Sequence, residues 1–355
     1  MPMPLFLDSG RSGSAVELHA ANCITIGLIN NMPDAAVEAT ERQFTDLVRA
    51  ATPNAVVILK LFAIPELPRA EPVRRALASR YHDIAELWDS PLDGLIVTGT
   101  EPRAGDLRDE PYWETMREVV EWARDHTAST IWSCLAAHAA VLHADGIERR
   151  ALREKQFGVF DCRLVADHPM TEHFPEPLWV PHSRYNDLPE QALVSCGYKI
   201  LTRSKTAGVD TFARQDGSFF LFFQGHPEYD ADTLLREYRR DVARFLGGER
   251  DRYPAAPLGY FNAEAASTAE AFRARALADR RAELIADFPK TALAAGLECP
   301  WRMAALGVYE KWAAYLSARK AERRVVTVPS SGVRLRRTWR DWPLGLRGAA
   351  DSSAR

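Results

Sequence analysis

Nowhere in the 355 residues does an apolar run approach the ~20 residues that a membrane-spanning helix requires. The amino terminus lacks the basic-then-apolar pattern of a secretory signal, so export is not expected. Cysteine is scarce: Cys23, Cys134, Cys162, Cys196 and Cys299 are odd in number and show no paired spacing. Neither a Cys-x-x-Cys nor a His-x-x-x-His pair occurs, which argues against a disulfide framework and a zinc site alike. No metal and no resident cofactor are expected. A strong charge of either sign is also missing, since the net charge is −3. What is present, 46% hydrophobic and 26% charged residues, suits a soluble cytoplasmic enzyme with a large core.

Over the first 240 residues, apolar strand-like runs alternate with amphipathic helical ones, the pattern of a doubly wound, mostly parallel α/β sheet. Strands are expected at 24–29, 56–62, 94–98, 130–134 and 218–224, with helices at 39–50, 72–88, 111–125, 147–155 and 229–247. The segment 156–216 reads as irregular and β-rich, with short strands near 158–164, 198–202 and 208–213. A Pro/Gly-rich connector from Gly247 to Pro257 leads into two further helices, 263–287 and 301–321. The division is therefore an N-terminal extension (1–22), an α/β domain (23–250), C-terminal helices packing on it (251–322) and a tail (323–355). That tail holds eight Arg against two Asp and is expected to be disordered, a solvated appendage in preference to a nucleic-acid contact.

The chemistry concentrates in two places. Thr130-Ile131-Trp132-Ser133 is a short apolar strand that ends on Cys134 and passes at once into alanine-rich helix. Such a turn holds a side chain out at the top of a sheet, where the helix N-terminus favours thiolate over thiol. A buried cysteine packing as a small hydrophobe is the commoner reading of such a residue in isolation. Downstream, the apolar run Ser218–Gln224 breaks at Gly225 into His226-Pro227-Glu228, which sets an imidazole and a carboxylate two residues apart at a strand end. Together the motifs suggest a nucleophile, a base and the carboxylate that orients it.

These residues, with Ile26-Gly27-Leu28-Ile29-Asn30-Asn31-Met32-Pro33, Glu41, Gln43, Gly94–Gly99, Tyr112-Trp113, Lys155–Phe160, Pro181-His182-Ser183-Arg184-Tyr185, Glu237–Asp241, Trp301-Arg302, Tyr309, Trp312 and Tyr315, resemble the homoserine O-succinyltransferase family, which has the class I glutamine amidotransferase-like fold. The resemblance covers roughly residues 24–320. It implies that Cys134 carries the acyl group, that His226 is the base and Glu228 its orienter, and that Lys155, Ser183 and Arg240 bind the amino-acid substrate. It also implies succinyl-CoA and L-homoserine as substrates, a homodimer, and a place in methionine biosynthesis. Three features depart from the pattern: Asp34 and Ala35 stand where basic residues are usual, Leu135 and His138 replace small or glutamine residues around the cysteine, and the loop Thr100–Gly105 replaces an Ala-Pro start. If that loop lines the acyl pocket as the resemblance implies, Arg103 is expected to meet the distal carboxylate of a succinyl group; the open alternative is that it points into solvent beside Glu101, Asp106, Arg108 and Asp109. Leu135 N–H and an N–H of the Gly99-Thr100 loop are expected to form the oxyanion hole.

Taken without the family, Lys155 could be a surface residue, Ser183 a turn hydroxyl and Arg240 a salt-bridge partner of Glu237 or Asp241. Acetyl-CoA as donor, a serine-like acceptor and glutamine amide hydrolysis stay open. The last is disfavoured because Trp132 and Ala136 replace the glycines of a Gly-x-Cys-x-Gly elbow. A non-catalytic module that keeps the pocket as a binding site is the remaining alternative.

Overall fold

The apolar runs anticipated from the sequence become the middle of one eight-stranded sheet. The computed structural model describes residues 5–8, 23–172, 174 and 176–326. Strand order in the sheet is β1 (Leu5–Asp8), β3 (Val56–Phe62), β2 (Cys23–Ile29), β4 (Gly94–Val97), β5 (Ser129–Ser133), β12 (Ser218–Phe223), β11 (Thr211–Asp216) and β8 (Lys199–Ile200). The first six are parallel, while β11 and β8 close one edge in antiparallel fashion. Alternate side chains enter opposite cores, as a period of two requires. Val97, Trp132, Phe220 and Phe222 pack beneath α3 (Trp113–His126) and α4 (Leu135–Asp145), whereas Ile96, Ile131 and Leu221 pack beneath α1 (Val37–Ala51) and α9 (Arg302–Val326).

A smaller antiparallel sheet, in the order β10 (Gly208–Val209), β9 (Thr202–Ser204), β6 (Arg150–Leu164) and β7 (Leu178–Asp187), stands beside the carboxyl edge. The remaining helices are α2 (Glu71–Arg80), α5 (Glu190–Ser195), α6 (Thr233–Leu246), α7 (Ala263–Ala278) and α8 (Lys290–Ala294). Phe157 and Val159 of β6 share a third apolar cluster with α6, α7, α8 and Trp301.

Four expectations change. Residues 147–155 are not a helix: Lys155 lies in the long strand β6, because pairing with β7 and the burial of Phe157, Val159 and Phe160 override the local helix preference of Ala, Leu, Glu and Lys. The helix anticipated over 72–88 stops at Arg80, where Tyr81 turns extended and Asp83 starts a separate 3₁₀ turn by accepting Ala85 N–H at 2.9 Å. The helix anticipated over 263–287 likewise ends at Ala278 and resumes as a 3₁₀ turn, Ala282–Asp287. Finally, α9 continues to Val326, beyond the limit placed at 322. The rest of the basic tail, residues 327–355, and most of the N-terminal extension lie outside the described residues.

Candidate active site

β5 delivers the nucleophile. Cys134 follows it with φ +53° and ψ −113°, and among the described residues it alone has a positive φ without being glycine. Such a conformation costs a non-glycine residue on the order of 1–3 kcal/mol, and the surroundings must enforce it. They do so from both sides. Cys134 N–H donates to Phe223 O at 2.7 Å, while its carbonyl accepts Ala137 N–H at 3.0 Å to open α4. Gly99, at the end of β4, approaches this elbow so closely that a Cβ there would lie 2.8 Å from Leu135 N. Leu135 N–H and the Gly99-Thr100 backbone thus line the space in front of the thiol.

β12 delivers the base. Gly225 N–H donates to the buried carboxylate of Asp210 at 3.1 Å, and His226 N–H donates to Pro181 O at 2.8 Å, which fixes the turn after the strand. His226 Nδ1 then meets Glu228 Oε1 at 2.8 Å, its ring stacks on Tyr229 with centroids 4.2 Å apart, and its side chain also hydrogen-bonds Cys134. Burial by itself would depress the imidazole, but the Cys134 and Glu228 charges outweigh it and hold His226 well above the ordinary histidine range. A base that readily accepts the thiol proton is the result.

The three residues open into one cavity of about 390 Å³. Its floor includes Thr98, Gly99, Thr100, Cys134 and Leu135, and its far wall is a charged cluster on β6, β7 and α6. Lys155 Nζ donates to Asp241 Oδ2 at 2.9 Å and lies 3.8 Å above the Phe157 ring. Ser183 Oγ donates to Glu237 Oε2, Tyr229 OH donates to Glu237 Oε1 at 2.5 Å, and Arg240 Nη2 donates to Asp241 Oδ1 at 3.1 Å. Burial would raise the Asp241 carboxyl, yet Lys155, Arg240 and Arg250 together hold it below the usual carboxylate range. Arg244 reaches across the mouth to Glu101 through two bonds of 2.6 and 2.9 Å.

The structure therefore brings Cys134, His226, Glu228, Lys155, Ser183, Arg240, Leu135, Gly99 and Thr100 to one cavity. Arg103 is not among its lining residues; its side chain is exposed and its backbone N–H turns to Glu110 Oε1 at 2.5 Å, because Glu110 gathers this loop away from the mouth. Sequence reasoning treated Glu237 and Asp241 only as partners of Arg240 and overlooked Tyr229, Glu101, Arg244 and Arg250. Periodicity was the available signal: Glu237, Arg240, Asp241 and Arg244 recur at helical spacing and so share one face of α6. Among the described residues no His, Cys, Asp and Glu cluster could hold a metal ion.

The family described as Homoserine O-succinyltransferase matches residues 12–323. A homoserine O-succinyltransferase of Rhodopseudomonas palustris is 52% identical over 293 residues, covering 82% of this chain and 88% of its own. One from Methylorubrum extorquens is 48% identical over 299 residues, covering 84% and 88%. Among solved structures, a glutamine amidotransferase from Methylobacillus flagellatus is similar at 15% identity and a TM-score of 0.47, covering 83% of this chain and 96% of that one. With a family match over most of its length and a relative 52% identical over 82% of it, the chain belongs to the homoserine O-succinyltransferase family.

Proposed function

We propose that this chain moves a succinyl group from succinyl-CoA to the side-chain hydroxyl of L-homoserine through a Cys134 thioester, the activating step for methionine biosynthesis. The observation that carries the reading is the strained Cys134 elbow in contact with the His226–Glu228 pair, at a cavity whose opposite wall carries both cationic and anionic side chains. His226 takes the thiol proton and Sγ attacks the thioester carbonyl, while Leu135 N–H and the Gly99-Thr100 backbone stabilise the oxyanion. The carbonyl re-forms, the CoA thiolate leaves, and it takes the proton from His226. The imidazole then removes the homoserine hydroxyl proton, the alkoxide attacks the thioester, and Cys134 leaves as thiolate to recover that proton. Arg240 offers a planar fork to the acceptor carboxylate, and Glu237 offers an anion to its ammonium. Because Arg103 stands off the cavity, a cation for the distal succinyl carboxylate would come from the mouth, where Arg244 is placed. A cytoplasmic homodimer is part of the same reading.

The test is purified protein with succinyl-CoA or acetyl-CoA and no acceptor. Mass spectrometry should show the donor's acyl mass on the Cys134 peptide, and addition of homoserine should discharge it. Cys134→Ala should abolish both label and turnover, and His226→Ala should lower turnover by about 10³-fold or more. An active Cys134→Ala variant, or ammonia release from glutamine in place of acyl transfer, would overturn the reading.

A further inference from the structure

Two polar atoms in the catalytic layer are buried without a hydrogen-bond partner: the second carboxylate oxygen of Glu228, Oε2, and the hydroxyl of Tyr309. One is an acceptor and the other a donor, and each would cost about 1–3 kcal/mol if left unsatisfied. They belong to one neighbourhood, since the Glu228 charge acts on Tyr309 and, with burial as the larger cause, pushes that hydroxyl well above the ordinary tyrosine range. The same C-terminal segment also grips the triad loop elsewhere. Trp301 Nε1 donates to Tyr229 O at 2.8 Å, and Tyr309 packs 6.1 Å from Trp312, itself pinned by donation to Ser129 Oγ at 2.9 Å.

We infer that Tyr309 on α9 is a positioning residue for the acid-base pair, its hydroxyl donating to Glu228 Oε2 through one water while Oε1 holds His226. The C-terminal helix then acts on the chemistry through the carboxylate as well as covering the sheet. The titratable groups facing Glu228 are His226 and Tyr229 on its own loop, Cys134 through His226, and Tyr309 from α9. A donor to a carboxylate favours its charged form, so removing that donor weakens support for the imidazolium and, through it, for the thiolate.

The test reads Cys134 directly and does not depend on the acyl donor, so it stands even if the acyl-transfer reading fails. Iodoacetamide alkylation of the Cys134 peptide is followed against pH in wild type, Tyr309→Phe and Trp312→Phe, with melting temperatures beside it. Tyr309→Phe, which removes one oxygen, should move the acid limb of alkylation to higher pH and slow the reaction about 10-fold at neutral pH. Trp312→Phe should lower the melting temperature and leave the limb in place. A Tyr309→Phe limb that coincides with wild type, or an equal shift in Trp312→Phe, would overturn the inference.

Discussion

At the scale of single residues, the site depends on one glycine as much as on its nucleophile. A Cβ on residue 99 would meet Leu135 N at 2.8 Å, Leu135 Cβ at 3.0 Å and Ser133 O at 3.3 Å, all parts of the elbow. Backbone cannot swing aside as a flexible side chain can, so Gly99→Ala must displace the Leu135 N–H from the position where the oxyanion forms. Losing one such donor typically costs 10²–10³-fold in rate. Gly99→Ala should therefore slow Cys134 acylation by about 10²-fold while the melting temperature falls by only a few degrees, as read by single-turnover kinetics and calorimetry. An unchanged acylation rate would remove Leu135 N–H from the mechanism. Cys134 was legible only in combination: a strand ending on cysteine before an alanine-rich helix is more often a packed structural thiol, and the His226-Pro227-Glu228 motif downstream tips the reading toward a nucleophile. Tyr309 figures in the sequence only as one of the residues that carry the family resemblance, since a phenol on a helix gives no sign of which buried acceptor it approaches.

Elements place the rest of the wall. Lys155 reaches Asp241 because β6 runs as a strand past α6, and β6 is held there by the connector after α6: Val159 N–H donates to Leu258 O at 2.8 Å and Leu258 N–H donates to Phe157 O at 2.9 Å. The crossing needs Gly158, whose φ of +143° suits glycine and whose Cβ would lie 2.3 Å from Leu258 O. Gly158→Ala should cost about 2–4 kcal/mol in denaturant unfolding and raise the KM for the acceptor, since strain and a backbone clash act on the strand that carries Lys155. A variant of full stability would show that the connector gives way. This arrangement was invisible in the sequence for a physical reason: Ala151, Leu152, Glu154 and Lys155 favour helix locally, and only long-range pairing to β7 decides for strand. The runs 94–98, 130–134 and 218–224, by contrast, were legible because strands buried on both faces are continuously apolar.

The whole molecule buries ionisable groups on both sides of neutrality, and its stability should follow. Burial pushes His138 down to about 3 and His168 to about 4, and it holds His182 well below the ordinary value. Each stays neutral in the folded chain, whereas the unfolded chain binds their protons as pH falls through ~6.5. More protons are then bound by the unfolded state, so stability falls with pH by up to ~1.4 kcal/mol per unit for each of the three until the folded values are reached. His226 has the opposite sign: its raised value contributes stability that is fully present below ~6.5 and is lost as pH rises toward its folded value, so it leaves the acid slope unchanged. Unfolding free energy should thus decline from pH 6.5 to 5, steepening toward a limit of about 4 kcal/mol per unit as the unfolded histidines fill. His168, whose Nδ1 accepts Met170 N–H at 3.2 Å far from the cavity, isolates one share. In His168→Asn an amide oxygen can accept the same N–H but cannot titrate, so the slope should flatten by about 1.4 kcal/mol per pH unit while turnover at neutral pH stays that of wild type. Urea titrations at half-unit steps of pH measure this, and parallel curves for the two proteins would mean that His168 takes up its proton without unfolding.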